Sequence, residues 1–354
     1  MKILFISRAY PPVIGGIEKQ NYDLFCWLSG NNEVVLIANT KGKAMLPFFV
    51  PFAFFRALIS IPKVEIILLG DGVLSILGYF VKFFTSKPVV CIVHGLDITY
   101  AHRLYQALWI KIFLKKMDRL IAVGNETIRQ GVRRGLPAAK FAFVPNGVAI
   151  PKPLPQHARK ELEELIGRKL HGKVLLTVGR LIKRKGITWF IDSVMPMLSS
   201  GTFYIIAGDG PQMQEISNTI KNNNLQDRII CLGTVTDREK EILYSTSDLF
   251  IQPNIRVEGD MEGFGLVILE AASYALPVIA SDLEGLKDAI KDGKNGLLLQ
   301  EKNAKLYIDT IDRLLRHEEQ RKQLGIQARE YVANHFDSEK ISARYLEIFE
   351  GCVN

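Results

Sequence analysis

Cysteine is scarce in this 354-residue chain. Cys26, Cys91, Cys231 and Cys352 lie far apart and form no Cys-x-x-Cys pair, which excludes a zinc ribbon and a disulfide-stapled scaffold and fits a reducing compartment. A secretory h-region is missing, because Arg8 and Pro11-Pro12 follow the first apolar residues at once. A long uninterrupted apolar run is missing too. The most apolar segment, Met45–Ile61, contains Pro47, Pro51 and Arg56, and is expected to be broken too early to span a bilayer. Core packing and a partly exposed interfacial loop remain as its two readings. No repeat and no low-complexity tract is present. With 48% hydrophobic and 23% charged residues, disorder and collagen-like order are excluded. The length suits two domains of roughly 150 residues each.

Acidic residues are short in one half only. Residues 1–150 carry 18 Lys and Arg against 8 Asp and Glu, a balance of 18 − 8 = +10. The remainder carries 27 against 29, a balance of −2, so the net charge of +8 resides in the first half. Such asymmetry points that half at an anionic partner, a membrane surface or a nucleic acid, with a merely solubilising surface as the plain alternative.

Short β-like runs alternate with helical periodicity throughout. Strands are expected at Lys2–Ser7, Glu33–Ala38, Glu65–Leu69, Val89–Val93, Leu120–Val123 and Phe141–Val144. The pattern restarts at Lys173–Val178, Phe203–Ala207, Ile229–Leu232, Leu249–Gln252, Pro277–Ala280 and Gly296–Leu298. Repeated βαβ units imply parallel sheets covered by helices on both faces. The expected class is therefore α/β with two doubly wound, Rossmann-like domains: residues 1–155, residues 156–336, and a terminal helix at 337–354 that packs back on the first domain.

Several loops carry chemistry. Gly15 and Gly16 stand between the first strand and its helix, where glycine allows close backbone approach and a helix N-terminus offers N–H groups to an anion. The strand ending at Val178 runs into Gly179-Arg180-Leu181-Ile182-Lys183-Arg184-Lys185-Gly186. A cationic loop at the carboxyl end of a parallel strand sits where open α/β sheets bind ligands, and Arg180 and Lys185 suit a diphosphate. Gly208-Asp209-Gly210-Pro211 is a turn at the same sheet edge. In Glu258–Glu270, Gly263 and Gly265 flank Phe264 before a helical run and form a nest of N–H groups. Glu262 beside such a nest would repel phosphate, but it suits the hydroxyl groups that a nucleotide sugar carries on both sides of its diphosphate. Each loop also has a plain structural reading as a tight turn or a solvated basic loop.

Taken in order, Pro145-Asn146-Gly147, Gly179-Arg180-x4-Lys185-Gly186, Gly208-Asp209-Gly210-Pro211, Glu262-x7-Glu270 and Pro277-Val278, with His94-Gly95-Leu96-Asp97 ahead of them, resemble a family-four glycosyltransferase over nearly the whole chain. The resemblance implies a GT-B fold, two Rossmann-like domains facing across a cleft, and transfer of a sugar from a UDP- or GDP-linked donor with retention of configuration and no bound metal or other cofactor. It implies that Arg180 and Lys185 grip the diphosphate, Glu262 the transferred sugar and Glu270 the ribose. Gly263, Phe264, Gly265 and Leu266 would cover the phosphate and sugar, and His94 would sit near the sugar. Gly15, Gly16, Asn146, Gly208, Asp209 and Val235 complete the expected donor contacts, Val235 lying against the base. Two departures stand out: Ala149 occupies a position that is usually Asp, and Asn254–Met261 is longer and more acidic than is common.

The resemblance also implies that the acceptor, a glycan or a lipid-linked molecule, binds the first half, where the positive excess lies. Trp109, Lys111, Lys115 and Lys116 in the stretch 105–119 mix aromatic and cationic groups as an interfacial helix would; a core-packed helix with solvated lysines is the alternative. A cytoplasmic location is expected, with a peripheral place on the inner face of the plasma membrane. A phosphorylase or epimerase of the same fold fits the Glu262-x7-Glu270 pattern less well. A basic nucleic-acid-binding protein would explain the charge alone, and a non-catalytic nucleotide-sugar sensor would have little use for the full set Arg180, Lys185, Glu262 and Glu270.

Overall fold

The computed structural model describes residues 1–13, 15–153 and 157–353. The chain divides into two compact units. The first comprises Met1–Gly147, Gly259–Phe264 and the segment from Ser338; the second comprises Val148–Glu258 and Gly265–Asp337. The domain boundary expected at 155/156 lies outside the described residues.

The first unit is built on six parallel strands, β1 (Lys2–Ser7), β2 (Glu33–Ala38), β3 (Ile66–Leu69), β4 (Val89–Val93), β5 (Arg119–Ala122) and β6 (Phe141–Phe143), in the order β2-β1-β3-β4-β5-β6. Strands β3 and β4 are buried along their whole length, which is why they read as unbroken apolar runs instead of alternating ones. Helix α1 (Gly16–Ser29) follows β1, and the helix Ser338–Val353 packs on it, burying Ile341, Tyr345 and Phe349. Arg344 ties this helix to β6 by donating to the Phe143 carbonyl at 3.0 Å.

The second unit repeats the scheme with β7 (Lys173–Val178), β8 (Thr202–Ala207), β9 (Ile229–Gly233), β10 (Leu249–Gln252), β11 (Val278–Ser281) and β12 (Leu297–Leu299), all parallel, in the order β12-β11-β10-β7-β8-β9. All twelve strands coincide with the sequence expectation to within about a residue at either end, the usual scatter of element boundaries.

The segment Met45–Ile61 departs from it. It is neither a loop nor broken by its prolines: α2 (Leu46–Ser60) is continuous and, with the 3₁₀ turns at either end, makes a helical run Lys43–Lys63 that is long and apolar enough to cross a membrane by length and composition. Pro47 falls in the first turn, where its missing N–H has no intrahelical partner to lose, and Pro51 one turn later forgoes a single rung. Helix α3 (Ser75–Val81) packs beside it.

Candidate active site

Each sheet reverses its strand order once, and ligands of open α/β sheets gather at the carboxyl edge of that crossover. In the first unit it lies between β1 and β3. The loop after β1 brings in Arg8, whose Nε donates to Asp71 Oδ1 at 2.9 Å in the loop after β3. Asp71 is fully buried and the Arg8 side chain is 14% exposed. Burial works against the Arg8 charge, but Asp71, Asp97 and Glu18 outweigh it and hold the guanidinium above its ordinary pKa.

After β4, His94 and Gly95 are pinned by Asp97. The Asp97 carboxylate accepts from the backbone N–H of His94 and of Gly95, each at 2.9 Å, and from that of Gly72 at 2.9 Å. Burial lifts the Asp97 carboxyl above the usual range; His94 and the Gly72 N–H pull it down, and Asp71 adds to the lift. His94 Nε2 lies 3.0 Å from the Gly70 carbonyl. A carbonyl only accepts, so Nε2 carries a proton and donates to it.

The segment Gly259–Phe264 belongs to this unit. A Cβ on Gly263 would stand 2.1 Å from the His94 carbonyl oxygen, and one on Gly95, which has φ +110°, 2.8 Å from Met261 Cε. Glycine is required at 263 by the close backbone approach and favoured at 95 by its positive φ. Glu262 and Phe264 are buried here, so Glu262, Gly263 and His94, far apart in the sequence, share one neighbourhood. Asn146 is buried with its side-chain oxygen lacking a hydrogen-bond partner. Gly15 precedes α1, with Glu18 filling the space its Cβ would take, whereas a Cβ on Gly16 would meet no protein atom.

In the second unit the crossover lies between β7 and β10. The loops after β7, β8 and β10 are laced by backbone. Gly179 N donates to the Ala207 carbonyl at 2.9 Å, Leu181 N to Asp209 at 2.9 Å, and Ile255 N to Arg184 at 2.9 Å. A Cβ on Gly208 would stand 1.9 Å from the Gly179 oxygen, and one on Gly186 1.9 Å from the Pro253 oxygen. On this frame Lys185 is buried at 7% exposure, while Arg180 is exposed and its guanidinium has no ion-pair or hydrogen-bond partner among the described residues. Asp209 is exposed and its carboxylate accepts from the Gly210 N–H at 2.7 Å. Val235 is half-buried between β9 and the helix Asp237–Thr246.

Gly265, at φ +84°, opens the helix Leu266–Ser273, whose first N–H groups have no helical acceptors. Glu270 on that helix is half-buried and accepts from the Tyr244 hydroxyl at 2.9 Å. Burial first, and Glu270 second, push the Tyr244 phenol well above its ordinary pKa, so it stays a donor. Tyr244 and the pair Arg8–Asp71 were missed by sequence reasoning. The separations, 26 and 63 residues, carry no local signal.

Trp109 is engaged by the fold. Its indole N–H donates to the Val73 carbonyl at 2.8 Å and its ring stacks on Tyr105 at 5.1 Å. Lys111, Lys115 and Lys116 are exposed on the same helical stretch 103–116. No group of three or more His, Cys, Asp or Glu among the described residues is placed to hold a metal ion.

Two Rossmann-like parallel-sheet units, each presenting glycine-laced loops at the carboxyl edge of its crossover, define a GT-B fold. Residues 14–150 match the family described as Glycosyltransferase Family 4, and residues 158–331 that described as Glycosyl transferases group 1. Together they take in most of the chain, which belongs to this glycosyltransferase family. It is 26% identical over 337 residues to the UDP-Gal:alpha-D-GlcNAc-diphosphoundecaprenol alpha-1,3-galactosyltransferase of Escherichia coli, covering 86% of this chain and 85% of the relative. It is 23% identical over 381 residues to a GDP-mannose-dependent alpha-(1-6)-phosphatidylinositol monomannoside mannosyltransferase of Mycobacterium tuberculosis, covering 99% and 98%. In fold it is similar to Anabaena HepE in complex with UDP and glucose, at TM-score 0.83 and 19% identity over 99% of this chain and 100% of the other.

Proposed function

We propose that the chain transfers a hexose from a UDP- or GDP-linked donor to a lipid-linked or glycan acceptor, with retention of configuration and without a metal ion, in the assembly of a cell-surface polysaccharide or glycolipid. The observation that carries this reading is the second unit's crossover loop, where the unpaired Arg180 guanidinium and the buried Lys185 stand on a backbone-laced frame. In the proposed reaction the bond from the anomeric carbon to the donor phosphate breaks, and one to the acceptor oxygen forms on the same face. The acceptor proton passes to a phosphate oxygen of the departing nucleoside diphosphate. Negative charge grows on that diphosphate, and fixed cations there lower the barrier. Glu270, its carboxylate oriented by Tyr244, is assigned to the ribose hydroxyls; Glu262 and His94 are assigned to the transferred sugar. The lipid-linked acceptor is supported by the activities of the Escherichia coli and Mycobacterium relatives.

Thermal unfolding with UDP, GDP, ADP and a short RNA tests the donor class. One nucleoside diphosphate at a hundred times its Kd stabilises by about 2.7 kcal/mol, and a shift from RNA alone would overturn the reading. With the donor known, Lys185→Ala and Glu262→Ala each lower turnover about a hundredfold or more; near-normal transfer by both removes the assigned site.

A further inference from the structure

One face of the first unit carries apolar surface that its own core does not use. On α2, Phe48, Phe52, Phe55 and Ile59 are 71%, 56%, 64% and 65% exposed. Their spacing of four, three and four residues places them on one helical stripe. The stripe Phe49, Ala53 and Ala57 is buried in the same core as residues of β1, β3 and β4, so the helix is fixed inward and its other face is left over. Phe80, Phe83 and Phe84 at the end of α3 are 48%, 68% and 63% exposed, and Phe84 lies 5.8 Å from Phe54 of α2, joining the two elements into one patch. Monomeric soluble proteins rarely show a contiguous apolar patch of this kind without a use for it.

The charge around the patch says what kind of use. Residues 34–64, 72–96 and 98–117 contain ten Lys and Arg and not one Asp or Glu. These segments hold α2, α3 and the stretch 103–116, which pack side by side. Lys82 pairs with Asp118 and Lys87 donates to the Ile61 carbonyl, but Lys41, Lys43, Arg56 and Lys63 are exposed along α2 and its ends. A second copy of this face would set cations against cations. Exposed phenylalanines ringed by long cationic side chains match a lipid surface, where rings enter the acyl boundary and Lys and Arg reach the headgroups.

We propose that this face seats on an anionic lipid bilayer, with α2 lying in the plane of the interface. The run Lys43–Lys63 has the length to cross, but crossing would tear Phe49, Ala53 and Ala57 out of the core and draw Arg56 into hydrocarbon, a costly place for a cation. The proposal places the contact on α2 and α3, with the lysines of 103–116 flanking it, and does not depend on which sugar the enzyme transfers.

The full chain is floated with vesicles of phosphatidylcholine alone and of phosphatidylcholine mixed with phosphatidylglycerol, at low and high salt. The expected result is binding to the mixed vesicles, weakened by salt. In the triple variant Phe52→Gln, Phe55→Gln, Phe83→Gln, all exposed positions, binding falls about tenfold or more, while the unfolding temperature and its shift by nucleotide stay as in the parent. Equal binding by parent and variant, or none to anionic vesicles, overturns the proposal. So does a dimer of the parent in light scattering that the variant abolishes without any vesicle binding. Bound chain that resists high salt and alkaline carbonate overturns the in-plane placement in favour of a crossing helix.

Discussion

The two units solve the same problem, holding loops still at the edge of a parallel sheet, by different means. The first fastens its loops with buried side-chain charge. Arg8 pairs with Asp71, and Asp97 gathers the N–H groups of Gly72, His94 and Gly95. The second fastens its loops backbone to backbone, with Gly186 and Gly208 allowing approaches that a Cβ would forbid. A parallel sheet fixes where the loops start, not how they are held. In the second unit Arg180 is exposed and unpaired, available to a ligand, while Lys185 is buried in the frame; in the first unit Arg8 is already engaged inside.

Breaking a charged fastening gives the largest expected effect. Asp71→Ala leaves the buried Arg8 without its hydrogen-bonded partner, and costs about 3–5 kcal/mol in urea unfolding. A loss below about 1 kcal/mol would show that the first unit's loops are not held by charge. Next come the glycines. Gly208→Ala, at φ +150° and facing the Gly179 oxygen, is expected to cost about 1–3 kcal/mol by overpacking. Gly16→Ala meets no atom, and leaves stability unchanged or higher by up to about 1 kcal/mol. Equal losses at the two positions would erase the distinction. The smallest effect sharpens it. Asp97 has a raised pKa in the fold, so between the ordinary carboxylate value and the raised one the native state binds more protons than the unfolded chain. Stability then falls as pH rises through that window, by at most about 1.4 kcal/mol per pH unit. Unfolding measured across acidic pH is expected to lose this slope in Asp97→Asn. A slope that persists would assign it to another group.

The sheets were legible because strands buried on both faces must be apolar throughout, and every βα repeat announces its neighbour. Within the site, the loops rich in glycine and cation could be read because each is short and follows a strand. The packing of Gly263 on His94 could not be read, since nothing local ties residue 263 to residue 94. The helix α2 was misjudged because two prolines look like breaks until their place in the first turns is known. Asp97 was visible as part of a motif, but its work on three N–H groups depends on a turn at Gly72 that only tertiary structure supplies.

The first unit is discontinuous along the polypeptide, and this has a consequence for biosynthesis. Its sheet is complete once β6 has been made, yet the helix Ser338–Val353 that covers α1 comes only after the entire second unit. At about 5–20 residues per second, the ribosome takes of the order of ten to forty seconds to reach it. For that interval the nascent first unit shows the apolar flank of α1 to its surroundings, and its maturation is timed by translation of the second.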